Sequence, residues 1–184
     1  MSEIIVLLAG ILIASFIVVS YVALFIYPLK SGAPYVPSNP EVVTSMIGMA
    51  NLGPGKVAAD LGSGDGRIVV AIANTGAEAH GYEISPPLVA LSRSKLKKLN
   101  LNNAFIHKKD FWKEDLSGYD AIFMYQLPYV MQKIEPKFLD SLKPGAVVIS
   151  NAFSIKKWKP FRSENSIFAY NVGENTGNKD SSQH

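Results

Sequence analysis

Asp60-Leu61-Gly62-Ser63-Gly64-Asp65-Gly66-Arg67 decides the fold. The stretch follows a strand-like run, Lys56 to Leu61, and opens a helix-like one, Arg67 to Asn74. Glycines at 62, 64 and 66 let backbone approach a ligand with no Cβ in the way. A dinucleotide fingerprint would need a small residue at position 67, and Arg67 stands there, so that reading fails. Asp60 and Asp65 would repel a pyrophosphate. A cationic ligand suits them better.

Downstream, strand and helix signals alternate. Glu78 to Glu83 reads as a second strand, and Ser85-Pro86-Pro87 as a helix start, with Ser85 as N-cap. That helix runs to about Asn100, with Leu88, Ser92, Leu96 and Leu99 on one face. Ala104 to His107, Tyr119 to Tyr125, Ala146 to Ser150 and Ser166 to Val172 are further strands, and Met131 to Leu142 a helix. Upstream, Ser38 or Asn39 caps a helix from Pro40 to Asn51, with Val42, Val43, Met46, Ile47 and Ala50 on one side. This order predicts a Rossmann-like α/β domain: a parallel sheet, helices on both faces, and a ligand at the carboxyl ends of the strands.

Three acids fall at those ends. Glu83 closes the second strand 17 residues after Gly66, where an acid accepts from the hydroxyls of a ribose. Asp110, beside Phe111 and Trp112, suits an adenine amino group with an aromatic cover, although Asp as a helix cap explains it as well. With Asp60 they describe a ligand with a positive charge, a ribose and an adenine, namely S-adenosylmethionine. The absence of Cys and the presence of three His disfavour a metal site, and a net charge of +3 does not imply nucleic acid as a partner.

Residues 4–27 carry no charge, and only Gly10, Ser15 and Ser20 interrupt the apolar ones. As a helix the run spans about 36 Å, against roughly 30 Å of hydrocarbon. It lacks the basic start and cleavage site of a signal peptide. The expected organisation is a transmembrane anchor over 1–30, a linker and helix over 31–52, the catalytic domain over 53–172 and a disordered tail over 173–184. Lys30 after the anchor and Glu3 before it place the domain on the cytoplasmic side, with Met1 outside.

The Asp60 to Gly66 motif resembles that of class I methyltransferases. More narrowly, Pro34-Tyr35-Val36-Pro37 after a membrane helix, Asp60 to Val69, Gly81-Tyr82-Glu83, Ser92-Arg93 and Asp110-Phe111-Trp112 resemble the membrane-anchored protein-lysine methyltransferases of mitochondria. Those enzymes act on the adenine nucleotide translocator and the ATP synthase c subunit. With almost nothing before its anchor, this chain is read as a prokaryotic relative. The resemblance implies lysine N-methylation of a membrane protein with S-adenosylmethionine and no metal.

The same resemblance implies that Tyr35 closes over the methionine end of the cofactor. It assigns cofactor contacts to Asp60, Gly62, Ser63, Gly64 and Gly66, and to Glu83, Ile84, Asp110 and Phe111. Gln126-Leu127-Pro128-Tyr129 stands where many amino-group methyltransferases have Asp or Asn, two prolines and an aromatic residue. Gln126 would offer its carbonyl to the amine, and Pro128 and Tyr129 would contact substrate. The alternative for these residues is a strand end turned by Pro128, with Tyr129 packed in the core. Lys156-Lys157-Trp158-Lys159 with Arg162 is a basic run for anionic headgroups or for a substrate. Two other functions remain open: a methyltransferase of a lipid or quinone-like molecule, and a non-catalytic cofactor-binding module.

Overall fold

The computed structural model describes residues 2–22 and 35–174. Lys30, the start of the linker and the tail from residue 175 lie outside the described residues, as does the end of the expected anchor. α1 (Ser2–Tyr21) is apolar on every side beyond Glu3, and its side chains from residue 3 to 19 are exposed. Its stretch Glu3–Tyr21, of mean hydropathy 2.8, is long and apolar enough to cross a membrane by length and composition.

The domain is built from β1 (Val57–Leu61), α3 (Arg67–Ala73), β2 (Glu78–Glu83), α4 (Pro86–Lys98) and β3 (Ala104–Lys108). There follow β4 (Ala121–Met124), α5 (Pro128–Ser141), β5 (Val147–Asn151), β6 (Arg162–Glu164) and β7 (Ile167–Asn171), with α2 (Pro40–Met49) ahead of β1. The strands form one sheet in the order β3-β2-β1-β4-β5-β7-β6. β1 to β5 are parallel, but β7 runs antiparallel to β5, and β6 to β7. The expected all-parallel sheet is thus corrected to a mixed one. β7 is reached from β5 through the β6–β7 hairpin and not through a helical crossover, so it can enter the sheet in the opposite sense.

Alternation along each strand divides the core in two. Ala58, Phe123, Ile149 and Ala169 face α2, α3 and α4; Ala59, Ile122, Val148 and Tyr170 face α5 and the loops around Leu116 and Trp158. Helices do cover both faces, three on one and α5 on the other. Toward β2 and β3, among the described residues, the α5 side carries no α-helix. There Tyr82 and Tyr119 share a hydroxyl hydrogen bond of 2.7 Å, and His80 stacks on His107 with ring centroids 5.2 Å apart. The two rings also face each other through His80 Nδ1 and His107 Nε2 at 2.9 Å.

Several boundaries moved for identifiable reasons. α2 stops at Met49 because Asn51 turns into left-handed backbone at φ 47°. α5 starts at Pro128, whose missing N–H costs nothing in a first turn. Leu99 caps α4 and is 50% exposed, so it leaves the buried face formed by Leu88, Ser92 and Leu96. Ser85 and Asn39 hold the N-cap positions without a side-chain cap bond, and each helix is started by proline instead.

Candidate functional site

β1 lies between β2 and β4, where the chain's strand order reverses, and the loops after these strands meet over a single cavity. Asp60, Gly62, Ser63, Gly64, Glu83, Ile84, Asp110, Phe111, Gln126 and Tyr35 all line it. Gly66 does not line it, and nor do Pro128 and Tyr129.

The glycine loop is held in left-handed backbone, with φ of 87° at Gly62, 52° at Gly64 and 78° at Gly66. What presses on it is partly the protein itself. A Cβ on Gly62 would sit 2.6 Å from Gln126 Nε2, one on Gly64 2.8 Å from Tyr35 Cε2, and one on Gly66 2.9 Å from Ser92 Cβ. Gly66 therefore serves the close packing of α4 against the loop, and it lies outside the cavity lining.

Asp65 is also reassigned. It pairs with Arg67 at 2.9 Å and with Lys95 at 2.7 Å. Burial alone would raise its pKa, but these two cations outweigh that and hold it at about 2. Its charge is neutralised within the protein. Asp60 differs: it is 3% exposed, and among the described residues no donor bonds its carboxylate. Burial, and then the charges of Glu83 and Asp65, push its pKa up to about 8. It is the acid in the loop whose charge a cationic ligand would restore.

Glu83 is more occupied than the sequence suggested. Its Oε2 accepts from the Gly64 N–H at 2.9 Å, and its Oε1 from the N–H groups of Ile84 and Ser85, each at 2.8 Å. A carboxylate offers about four acceptor sites. One site on Oε2 therefore remains for a ribose hydroxyl, and the expected grip on both hydroxyls would need a backbone bond to be released. Asp110 accepts from the Trp112 N–H at 3.1 Å and caps a single 3-10 turn, Phe111–Lys113, which the sequence had not revealed. It is both a cap and a cavity residue, with its second oxygen still available.

Gln126 is 4% exposed and donates from Nε2 to the Leu61 carbonyl at 2.7 Å. That bond fixes which end of the amide is oxygen. Oε1 is buried with no protein partner, as is Ser63 Oγ. Orphaned polar atoms on a cavity wall are sites where a ligand completes the hydrogen bonding. Tyr129, by contrast, is 48% exposed, so the alternative that packs it in the core fails.

The strap ahead of α2 was legible only through Tyr35. Arg67 Nη1 donates to the Ser38 carbonyl, Asn151 reaches Ser38 Oγ at 3.4 Å, and Tyr35 lies on Gly64. The strap from Tyr35 to Ser38 thus forms one wall of the cavity. In the sequence Ser38 reads as a cap and Arg67 as a mismatch to another motif. Their joint role depends on a contact between residues 29 positions apart.

A buried acid without a donor, an acid with a free acceptor site, a third acid at a strand end and an aromatic strap fit a cationic nucleoside ligand. Comparison with known proteins agrees. Residues 60–162 match the ANTKMT methyltransferase domain. The adenine nucleotide translocase lysine N-methyltransferase of Mus musculus is 34% identical over 151 residues, covering 79% of this chain and 66% of that protein. A protein-lysine N-methyltransferase of Saccharolobus islandicus is 33% identical over 130 residues, covering 69% of this chain and 81% of that one. A crystal structure of an RNA methyltransferase from Salinibacter ruber with S-adenosyl-L-homocysteine has a TM-score of 0.73 and 34% identity, over 76% of this chain and 95% of that chain. The chain spans just under two thirds of the mouse relative's length.

Proposed function

This chain belongs to the ANTKMT methyltransferase family, and we propose that it is an S-adenosylmethionine-dependent protein-lysine N-methyltransferase, held to a membrane by α1 and acting on a membrane protein. The observation that carries the reading is the orphaned Gln126 Oε1 at the end of β4, in one cavity with Asp60, Glu83 and Asp110. When bound, the cofactor supplies a methyl group activated by its sulfonium. Glu83 and Asp110 would hold the ribose and the adenine amino group, with Phe111 at the ring, Asp60 for the positive charge and Tyr35 at the methionine end.

Gln126 acts on the acceptor. A lysine side chain has a pKa of about 10.4, and only its neutral form has a lone pair to donate. Oε1 accepts one N–H of the amine, aims that lone pair and favours the positive charge that grows on the nitrogen. Leu61 keeps the amide from turning. Pro128 and Tyr129 flank the acceptor's way in.

The anchor confines the domain to the surface where a membrane acceptor sits and raises its effective concentration there. The domain faces the cytoplasm, where the cofactor is made, and Met1 lies outside. Incubating membranes with methyl-labelled S-adenosylmethionine tests the reading. Label should run with protein as N-methyl-lysine; label extracted into solvent would assign a lipid-like acceptor instead. Protease added to intact cells should spare the domain, and cleavage there would overturn the orientation.

A further inference from the structure

Beside the cofactor cavity lies a second one, between the first turns of α5 and the connection from β5 to β6. Phe153 belongs to both and stacks on Tyr125 with ring centroids 6.5 Å apart. The second cavity takes in Pro128, two residues beyond Gln126 in the chain, and shares Phe153 with the cavity that Gln126 lines. Pro128, Met131 and Phe153 give it an apolar floor, while Lys156 and Lys157 stand on the wall opposite α5.

That wall is fixed. Ile155 and Trp158 are buried on either side of the two lysines. The Ile155 N–H donates to the Tyr170 hydroxyl at 3.0 Å, and Ser150 Oγ donates to the Phe153 carbonyl at 2.6 Å. The chain enters the loop through Ala152, in left-handed backbone at φ 65°. Lys156 and Lys157 are exposed between these anchors, and among the described residues neither has a carboxylate partner. Two adjacent lysines without a carboxylate partner among the described residues, exposed beside an apolar floor, attract a carboxylate.

We propose that the second cavity is the acceptor groove, and that it selects a polypeptide with acidic side chains beside the lysine that enters the first cavity. This rests on the protein-lysine reading above. The floor takes the aliphatic parts of the polypeptide, and Lys156 and Lys157 take its carboxylates. Glu135, on the α5 wall, accepts backbone N–H groups of the same segment and opposes an acid there, which gives the groove a direction. A bilayer fits this surface less well: the lysines line a concave wall, and Trp158, the aromatic in the run, is buried and not offered to an interface.

The test uses the full chain in nanodiscs with S-adenosylhomocysteine. Labelled lysine peptides differ only in flanking Glu, Gln or Lys, and fluorescence anisotropy reads their binding. The Glu-flanked peptide should bind at least tenfold tighter than the Lys-flanked one. Lys156→Glu with Lys157→Glu should reverse that order and leave cofactor affinity unchanged. Equal binding of all three peptides overturns the groove. So does a charge reversal that abolishes binding to phosphatidylserine vesicles while peptide preference stays as it was, since the lysines would then serve the membrane. Charge-selective binding with no methylation of the peptides in S-adenosylmethionine leaves the groove standing and refutes the lysine-methylation reading.

Discussion

Glu83 holds the backbone N–H of Gly64 at 2.9 Å, so the acid that ends β2 also sets the shape of the loop after β1. One side chain thereby joins loop conformation to ligand contact. Hydrogen bonds to a charged group contribute roughly 1.5–3 kcal/mol each. Glu83→Ala should weaken S-adenosylmethionine binding at least tenfold by calorimetry and also lower the midpoint of urea unfolding. Affinity within twofold of the parent would remove Glu83 from the site.

Asp60 should make cofactor binding depend on pH. Its pKa in the folded protein, about 8, lies above the ordinary 3.8 because of burial and then of Glu83 and Asp65. The folded state therefore binds more protons than the unfolded one between these values, and stability falls as pH rises through that window. A cationic ligand favours the ionised acid, so affinity should rise from pH 6 to 7.5 with release of a proton. Asp60→Asn should flatten both trends. Calorimetry in buffers of different ionisation enthalpy measures the proton.

Gln126→Ala should lower the rate of methylation at least tenfold and leave cofactor affinity within about threefold, because the lost bond goes to a nitrogen that gains charge only as the reaction proceeds. A matching loss of cofactor affinity would move Gln126 from the acceptor to the cofactor.

Gly62→Ala should destabilise the domain by about 2 kcal/mol or more. A side chain in left-handed backbone costs about 1–2 kcal/mol, and the new Cβ would press within 2.6 Å of Gln126 Nε2. Urea unfolding reads the first effect. A fall in methylation close to that of Gln126→Ala reads the displaced amide.

The His80–His107 pair should loosen in mild acid. Burial, and then the neighbouring His80 and Lys109, hold the His107 pKa below its ordinary 6.5. The unfolded chain thus takes up the proton first, and the contribution of His107 to stability falls as pH drops below about 6.5, opposing that of Asp60. Thermal unfolding should therefore show His107→Gln gaining stability relative to the parent between pH 7 and 5.

The loop from Asp60 to Arg67 was legible because glycines in left-handed turns between a strand and a helix leave few alternatives. The strand-end acids were legible for the same reason: the order of elements places them. What could not be read depends on contacts across the chain. The resemblance marks Gln126 for the amine, but only the fold shows Leu61 taking the amide and leaving the carbonyl orphaned. In the sequence Asp65 reads as a ligand-facing acid, and only the fold brings Lys95 of α4 onto it from 30 positions away. β6 has three exposed residues and no apolar alternation, so no periodic signal marks it.

Placing β7 against β5 has a consequence for how the protein is made. β5 lies between β4 and β7, and its outer edge remains bare until residues 167–171 have been synthesised. Tyr170, which fixes the loop carrying Phe153, arrives in the same stretch. During translation α1 thus emerges before the domain, and the growing sheet exposes an unpaired strand edge until β7 is made. A nascent chain stalled before residue 167 would carry the glycine loop and all three strand-end acids, yet would be prone to edge-to-edge association and would lack the fixed wall beside them.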